Sequence, residues 1–257
     1  MRIRKYIPNL LTCINLAFGC YACILALSGN YFGAMIAIIV AAGFDFADGF
    51  AARLLHAYSP IGKDLDSLAD VVSFGVAPGL MLFDFLNGIQ KTVDWSYPCI
   101  GNVVPLTALV IPVFSALRLA KFNNDHRQTT SFIGLPVPAH ALFWASLIYV
   151  LALSVEGTAI SGMIYQYISF NLTGISPLYM LLFVTFMAIG TSFLLVSEIQ
   201  MFSMKIKSPV WKGNEARYVL MIVSIVFFVF FGYLGITLTI LLYIFLSIIF
   251  RNSFVTK

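Results

Sequence analysis

Long apolar stretches follow one another along almost the whole of this chain, and they restrict it to one kind of fold. Hydrophobic residues make up 60% of its 257 residues, charged residues only 10%, and the mean hydropathy is +0.94. A soluble domain is typically about 45–50% apolar and about 25% charged, so one water-soluble core cannot bury this much apolar surface. Runs of about 20 apolar residues cross a bilayer as helices. The sequence therefore predicts an all-α integral membrane protein with eight transmembrane helices, at about 10–27, 31–52, 66–86, 100–120, 133–153, 176–197, 217–232 and 235–250.

The basic residues fall almost entirely on one side of these eight spans. Of the 15 Lys and Arg residues, only Lys91 falls in a segment on the other side. Cytoplasmic segments are enriched in Lys and Arg, and an odd number of spans would mix the two groups. We therefore expect a multi-pass protein of the cell membrane with both termini in the cytoplasm. The cations on that side are Arg2, Arg4, Lys5, Arg53, Lys63, Arg118, Lys121, Arg127, Lys205, Lys207, Lys212, Arg217, Arg251 and Lys257.

Against this apolar background, the stretch DFADGFAARLLHAYSPIGKDLDSLAD at residues 45–70 is strongly acidic. Asp45 and Asp48 are three residues apart, and Asp66 and Asp70 are four apart, so each pair shares one face of a helix. Ser-Pro at 59–60 and the glycine at 62 are typical of a turn between the two helices. Two acidic helix ends are therefore predicted to meet at the cytoplasmic surface, where their carboxylates would repel one another unless cations lay between them.

The residue types in this stretch indicate which cation it binds. The candidate ligands are carboxylate oxygens with no interleaved Cys or His, which favours Mg²⁺ or Mn²⁺ over zinc. Two pairs of acids suit two metals of the kind that assist phosphoryl displacement. We expect His56 and Asp64 to be solvated. A salt-bridged helix hairpin, or the cation site of an ion-coupled transporter, remains an alternative on spacing alone.

Small and basic residues accompany the acids. Gly49 and Ala52 lie on or beside the acidic face of the first helix, and Gly62 precedes Asp66 by four residues, so a bulky substrate has room to approach. Arg53 provides a fork of donors suited to phosphate. Lys63 is expected to neutralise the acids or to contact a phosphate.

The order of these residues, D-xx-D-G-xx-A-R-(eight residues)-G-xxx-D-xxx-D, resembles the signature of the CDP-alcohol phosphotransferases. The resemblance implies an enzyme that displaces CMP from a CDP-linked lipid with an alcohol, at a dimetal site on the cytoplasmic membrane face. It implies that the metals are bound by Asp45, Asp48, Asp66 and Asp70 and that Asp70 is the general base. It further implies that CDP is received by Asp48, Gly49, Ala52 and Arg53, together with Gly62. Lys63 lies outside the signature, and its charge beside the acids makes it a further candidate for contacting CDP.

Three further stretches resemble the CDP-diacylglycerol–serine O-phosphatidyltransferase branch of that family. They are PNLLTCINLAFG at 8–19, SLADVVSFGVAPG at 67–79 and RLAKFN…FIGLPVPA at 118–139. The branch implies CDP-diacylglycerol and L-serine as substrates, phosphatidylserine and CMP as products, and a homodimer. It also implies one transmembrane domain over 1–257, in which residues 1–197 form a six-helix catalytic core and 217–250 an accessory helix pair.

Two sets of polar residues in these stretches are candidates for ligand binding. Asn9 and Thr12 form a polar stripe that contacts cytosine or ribose, or else hydrogen-bonds a neighbouring helix. Arg118, Lys121 and Asn123 lie at the inner end of the fourth span, where they bind the acceptor or a phosphate, or else extend their side chains to the membrane surface.

The acceptor is the least constrained part of this interpretation. Serine is zwitterionic, so one cation suffices for its carboxylate, whereas a phosphorylated alcohol brings more negative charge to a site that already holds four carboxylates. Glycerol 3-phosphate, inositol, inositol phosphate and choline remain alternative acceptors, and an ion-coupled transporter remains the alternative from another class. The net charge of +4 lies on the inner face and suits anionic lipid headgroups, so we expect a membrane partner and no nucleic acid.

Overall fold

The computed structural model describes residues 6–93, 103–125, 132–156, 176–202 and 214–249. These residues form eight helices and one pair of very short strands. The helices are α1 (Tyr6–Leu27), α2 (Tyr31–Leu54), α3 (Pro60–Gln90), α4 (Val104–Asn124), α5 (Val137–Glu156), α6 (Pro177–Val196), α7 (Glu215–Phe231) and α8 (Leu234–Ile249).

Each of the eight predicted spans corresponds to one of these helices. The first six are long and apolar enough to cross a membrane, and many large apolar side chains on α1, α2 and α6 are exposed at the protein surface. The chain is accordingly a multi-pass membrane protein. The last two helices are shorter, with 17 and 16 residues, so their crossing of the membrane stays a prediction.

The cytoplasmic placement of both termini also stays a prediction, because many of the cations on which it is based lie outside the described residues. These are Arg2, Arg4, Lys5, Arg127, Lys205, Lys207, Lys212, Arg251 and Lys257.

The turn between α2 and α3 is formed by residues of the predicted kind. His56 has a φ of +50°, which reverses the chain after α2. The Ser59 hydroxyl then caps α3 by accepting a hydrogen bond from the Gly62 backbone N–H at 3.1 Å, with Pro60 in the first turn. The ends of α2 and α3 that contain the acidic residues are therefore adjacent. His56 and Asp64 are both exposed, as the sequence predicts.

Helix α3 contains a π-helical stretch at Val71–Val76, directly after Asp70. Such wide turns are rare and often occur at functional sites. The stretch packs closely against α1, because a Cβ atom added to Gly19 would overlap the Ser73 hydroxyl and lie 2.8 Å from the Ser73 Cα. On its other side, a Cβ on Gly75 would lie 3.1 Å from the Ser115 Cβ on α4. The segment that follows Asp70 is thus held between two helices.

The chain enters α5 through an irregular segment that packs on protein. Phe132–Ile133 (β1) pairs antiparallel with Gln200–Met201 (β2), and two residues are too few for a sequence pattern to reveal such strands. Gly134, with a φ of +77°, donates its N–H to the Ile199 carbonyl at 2.8 Å. The backbone before α5 is therefore hydrogen-bonded by the last turn of α6, through the Leu194 carbonyl, and by the segment that follows it.

The C-terminal helices α7 and α8 pack on each other, and α8 connects them to the rest of the protein. Helix α8 contacts α5 and β2, and the Tyr243 hydroxyl donates a 3.0 Å hydrogen bond to the Phe202 carbonyl. Ser146 on α5 and Thr237 on α8 share a buried hydrogen bond of 2.7 Å. Buried polar contacts of this kind stabilise helix association where lipid provides no hydrophobic driving force.

Substitution of Gly19 by Ala should destabilise the protein by about 1–3 kcal/mol, because the added methyl group forces α1 away from the π-helical stretch. The measurement is thermal unfolding of the detergent-solubilised protein. Gly190→Ala on α6 is the matched control, since no atom of the residues that the structure describes lies within 4 Å of its added Cβ. Equal stability of the Gly19→Ala variant and the wild type would show that this contact is not tight.

Candidate active site

Three of the four predicted acidic ligands converge where α2 and α3 meet. One carboxylate oxygen from each of Asp45, Asp48 and Asp66 lies within 4.8 Å of the others. Asp48 is 6% exposed, and the other two are partly buried. Asp70 does not belong to this closest group. It lies one turn further along α3, is 7% exposed, and interacts electrostatically with Asp45 and Asp66.

The site has the properties of a cation site. In the part of the chain that the structure describes, no Lys or Arg nitrogen lies within ion-pair distance of these four carboxylates. Oδ1 of Asp66 is buried and has no hydrogen-bond partner there. Mutually repelling carboxylates with an unpaired buried oxygen leave ligand positions free for Mg²⁺ or Mn²⁺. The residues present therefore fit a divalent cation site, and no described Cys or His joins the cluster.

Helix α1 covers this acidic cluster with polar side chains. Oγ1 of Thr12 is buried and donates to Oδ2 of Asp48 at 2.6 Å, with the Pro8 carbonyl 3.0 Å away. Nδ2 of Asn15 donates to Oδ1 of Asp70 at 3.3 Å. The structure thus places Thr12 against a carboxylate, where it orients a candidate metal ligand.

Asn15 is the site residue that sequence reasoning missed. The signal was present, because Asn9, Thr12 and Asn15 recur every three residues and so lie along one side of α1. Its contact with Asp70 joins residues 55 positions apart, which no local pattern reveals.

The residues predicted to receive CDP border the cluster on its more exposed side. Nη1 of Arg53 lies over Gly49, 3.6 Å from where a Cβ would be. Oδ1 of Asn9 fills the space over Gly62, 2.9 Å from the position of its absent Cβ. Ala52 is partly buried beside Arg53. Gly62 therefore allows a polar side chain to approach the backbone closely, whereas a Cβ on Gly49 would make only ordinary contact with Arg53.

Three polar residues near the adjoining ends of α3 and α4 contact one another. Nζ of Lys63 donates to the Asn123 carbonyl at 3.1 Å, and Nδ2 of Asn123 donates to the Ser67 hydroxyl at 2.8 Å. Nζ of Lys121 instead pairs with Oε1 of Glu198 at 2.6 Å and donates to the Val196 carbonyl at 3.2 Å. Lys63 and Lys121 are thus both engaged by the protein itself.

Arg118 differs from these lysines. It is 6% exposed, its Nε has no hydrogen-bond partner among the described residues, and its guanidinium lies 4.8 Å from the Phe122 ring centroid. It interacts electrostatically with Asp70 and with Tyr243 of α8. A buried guanidinium with an unused donor is a strong candidate for binding an anionic ligand group.

The sequence profile of the CDP-alcohol phosphatidyltransferase family matches residues 5–175, about two thirds of the chain. The chain belongs to this family. The match includes α1 to α5 and therefore every side chain of the acidic cluster, whereas α7 and α8 lie beyond it.

Several curated proteins are similar to this member of the family. The CDP-diacylglycerol–serine O-phosphatidyltransferase of Bacillus subtilis is 37% identical over 134 residues, which cover 52% of this chain and 70% of that protein. The enzyme of the same name from Mycobacterium tuberculosis is 35% identical over 207 residues, which cover 77% of this chain and 61% of that protein. An archaetidylserine synthase of Methanothermobacter thermautotrophicus is 33% identical over 141 residues, covering 53% and 54%. The chain thus spans from about half to 70% of these relatives' lengths.

Replacing Thr12 by Val should weaken divalent cation binding, because Asp48 loses the hydrogen bond that orients it. We expect the Mn²⁺ concentration for half-maximal activity to rise about ten- to a hundredfold, as is usual when the partner of a metal ligand is removed. The activity of the enzyme is first removed with EDTA, and the activity that returns is then measured as Mn²⁺ is added.

Thr107→Val on α4 is the control for this substitution, since among the described residues its hydroxyl bonds only to the Val104 carbonyl of its own helix. An unchanged Mn²⁺ requirement in Thr12→Val would contradict a role in orienting Asp48.

Proposed function

We propose that this protein transfers the phosphatidyl group of CDP-diacylglycerol to the hydroxyl of L-serine, which gives phosphatidylserine and CMP. The observation that carries the proposal is the convergence of Asp45, Asp48 and Asp66 within 4.8 Å beside buried Asp70. The order of these residues is the order of the family signature. The names of the relatives support serine as the acceptor.

The metal ligands in this proposal are Asp45, Asp48, Asp66 and Asp70, which would hold two divalent cations, Mg²⁺ or Mn²⁺. When bound, such cations supply neutralisation of the diphosphate and of the charge that develops on the leaving CMP. The hydrogen bonds from Thr12 and Asn15 orient Asp48 and Asp70 respectively.

The chain's own groups support a direct displacement. Asp70 accepts the proton of the serine hydroxyl as its oxygen forms a bond to the β-phosphorus, and the bond from that phosphorus to the CMP oxygen breaks. The stretch 45–70 contains no Cys, and its two serines bond elsewhere: Ser59 caps α3, and the Ser67 hydroxyl bonds to the Lys63 carbonyl and to Asn123. We therefore infer that no covalent enzyme intermediate forms.

The proposed CDP site comprises the residues on the exposed side of the cluster. The Arg53 guanidinium would pair with phosphate oxygens over Gly49, while Ala52 and Gly62 leave space for the nucleotide. Asn9 and Thr12 remain proposed nucleotide contacts, as does Lys63, whose amine must leave the Asn123 carbonyl to reach a phosphate.

The proposed acceptor site is built around Arg118, whose unused donor suits the serine carboxylate. Lys121 and Asn123 stay predictions for this site. Lys121 would have to leave Glu198, and the Asn123 side chain would have to leave Ser67, before either could contact an acceptor.

The remaining parts of the proposal concern the whole molecule. We propose that the site faces the cytoplasm from the cell membrane and that the enzyme is a homodimer. We also propose that residues 1–197 form the catalytic core, with 217–250 as an accessory pair. Positive charge on the inner face supports the cytoplasmic site, and the packing of α8 on α5 supports the accessory pair.

The purified protein should release CMP only when both CDP-diacylglycerol and an acceptor are present. With serine, glycerol 3-phosphate, inositol and choline compared at equal concentration, we expect radiolabel from serine in lipid.

Asp70→Asn should reduce turnover by at least about a hundredfold, because the proton acceptor is lost. Asp64→Asn is the matched control, since Asp64 is exposed and outside the signature.

Incorporation of glycerol 3-phosphate or inositol without serine would refute the acceptor while leaving the family chemistry intact. Cation transport without CMP release would favour the transporter instead.

Arg118→Gln should raise the KM for serine roughly ten- to a hundredfold, because a charge-assisted hydrogen bond to the carboxylate is lost. The KM for CDP-diacylglycerol should stay unchanged, and the preference for serine over ethanolamine, which has no carboxylate, should fall. Arg217→Gln on α7 is the control for loss of a cation. An unaltered KM for serine in Arg118→Gln would rule out the proposed contact.

A further inference from the structure

Asn15 has an unused hydrogen-bonding atom in the interior of the protein. The residue lies in the middle of α1 and has no exposed surface. Its Nδ2 donates to Oδ1 of Asp70 at 3.3 Å, and its backbone carbonyl accepts from the Ser73 hydroxyl at 3.1 Å. Its side-chain Oδ1, by contrast, has no partner among the described residues.

An unpaired buried amide oxygen is unfavourable. Leaving such an acceptor without a partner costs about 1–3 kcal/mol, and most buried polar groups in proteins are paired for this reason. A leucine at this position of a membrane helix would avoid the cost. The amide orientation is fixed by Asp70, because only the Nδ2 end can donate to a carboxylate. The unpaired oxygen therefore belongs to the same planar amide group that contacts the proposed base.

Arg118, near the same carboxylate, has an unused hydrogen-bond donor where Asn15 has an unused acceptor. Its Nε is a buried donor without a partner, and its guanidinium attracts Asp70 across the site. Two unpaired groups thus lie in the surroundings of Asp70: the acceptor Oδ1 of Asn15 on α1 and the donor Nε of Arg118 on α4. A ligand that satisfies both needs a hydrogen-bond donor, for which a charged ammonium is the strongest choice, an anionic group and, for the reaction, a hydroxyl. A β-hydroxy α-amino acid has these three groups on adjacent carbons.

We infer that Asn15 determines acceptor specificity, with its Oδ1 accepting a hydrogen bond from the acceptor's ammonium group. The same side chain keeps Asp70 directed at the acceptor's hydroxyl, while Arg118 binds the carboxylate. This inference rests on the proposed function and adds to it the residue that distinguishes an amino-acid acceptor from a polyol or a phosphorylated alcohol. Those acceptors can offer Oδ1 only a neutral hydroxyl, which makes a weaker hydrogen bond than a charged ammonium group.

The test compares serine with 3-hydroxypropionate, which keeps the hydroxyl and the carboxylate but lacks the amino group. For each acceptor, kcat/KM is measured with saturating CDP-diacylglycerol. The wild type should prefer serine on the order of a hundredfold or more, because a site built to bind an N–H group rejects an analogue without it. Asn15→Leu should reduce this ratio about tenfold or more, the equivalent of one hydrogen bond to a charged group.

The ratio separates recognition from support of the base. Any loss of Asp70 orientation in Asn15→Leu lowers turnover with both acceptors and cancels in the ratio. Asn87→Leu, near the other end of α3, is the matched control and should keep the wild-type ratio. Arg118→Gln should alter the serine-to-ethanolamine ratio while leaving the serine-to-3-hydroxypropionate ratio near the wild-type value. Asn15→Ser is made in parallel as a smaller polar variant, and an unchanged KM for CDP-diacylglycerol verifies that a variant is folded.

Two results would overturn the inference. One is a wild type that uses 3-hydroxypropionate as well as serine, which is decisive whether or not the variants fold. The other is a folded Asn15 variant with the full wild-type ratio, in which case a water molecule satisfies Oδ1. Both leave the proposed function standing. Failure of the wild type to incorporate serine at all would instead refute the proposed function.

Discussion

Repulsion among carboxylates in an apolar protein is the constraint around which this structure is arranged. Asp45, Asp48 and Asp66 lie close together, and like charges a few ångströms apart repel far more strongly beside a low-dielectric interior than in water. No described basic side chain pairs with them. The cluster is therefore stable in its charged form only when cations occupy it. This requirement makes the acids a site for ligands, because a structural role would be better served by apolar residues.

The surrounding helices are packed so that this unfavourable cluster keeps its shape. Helix α1 lies against the acids through Thr12 and Asn15, and it can come so close because Gly19 has no side chain to meet Ser73. The π-helical stretch begins one residue after Asp70 and is held by α1 and α4. A carboxylate at the start of a wide turn would otherwise be poorly fixed. Close backbone packing of small residues thus compensates for the weak hydrophobic driving force between helices in lipid.

The sequence predicted much of the fold and the centre of the site because both depend on local patterns. All eight helices follow from apolar runs, and the convergence of Asp45 and Asp48 with Asp66 follows from helical spacing around one turn. Asp70 belongs to the signature yet lies outside the closest group of three. Sequence reasoning could not find the partner of Lys121, because Glu198 is 77 residues away and no periodic pattern relates residues so far apart in the chain. The two-residue strands were missed because they are shorter than any strand pattern.

The distribution of cations around the site has a consequence for the acceptor. Lys63 and Lys121 each have protein partners, a backbone carbonyl for the first and Glu198 for the second. Arg53 lies on the exposed side over Gly49, where the donor diphosphate is proposed to bind. Arg118 is therefore the buried cation with an unused donor near Asp70 in the described part of the chain. One guanidinium matches the single carboxylate of a zwitterion. A phosphate dianion beside four carboxylates would need further positive charge, and Lys63 and Lys121 could supply it only by leaving their present partners.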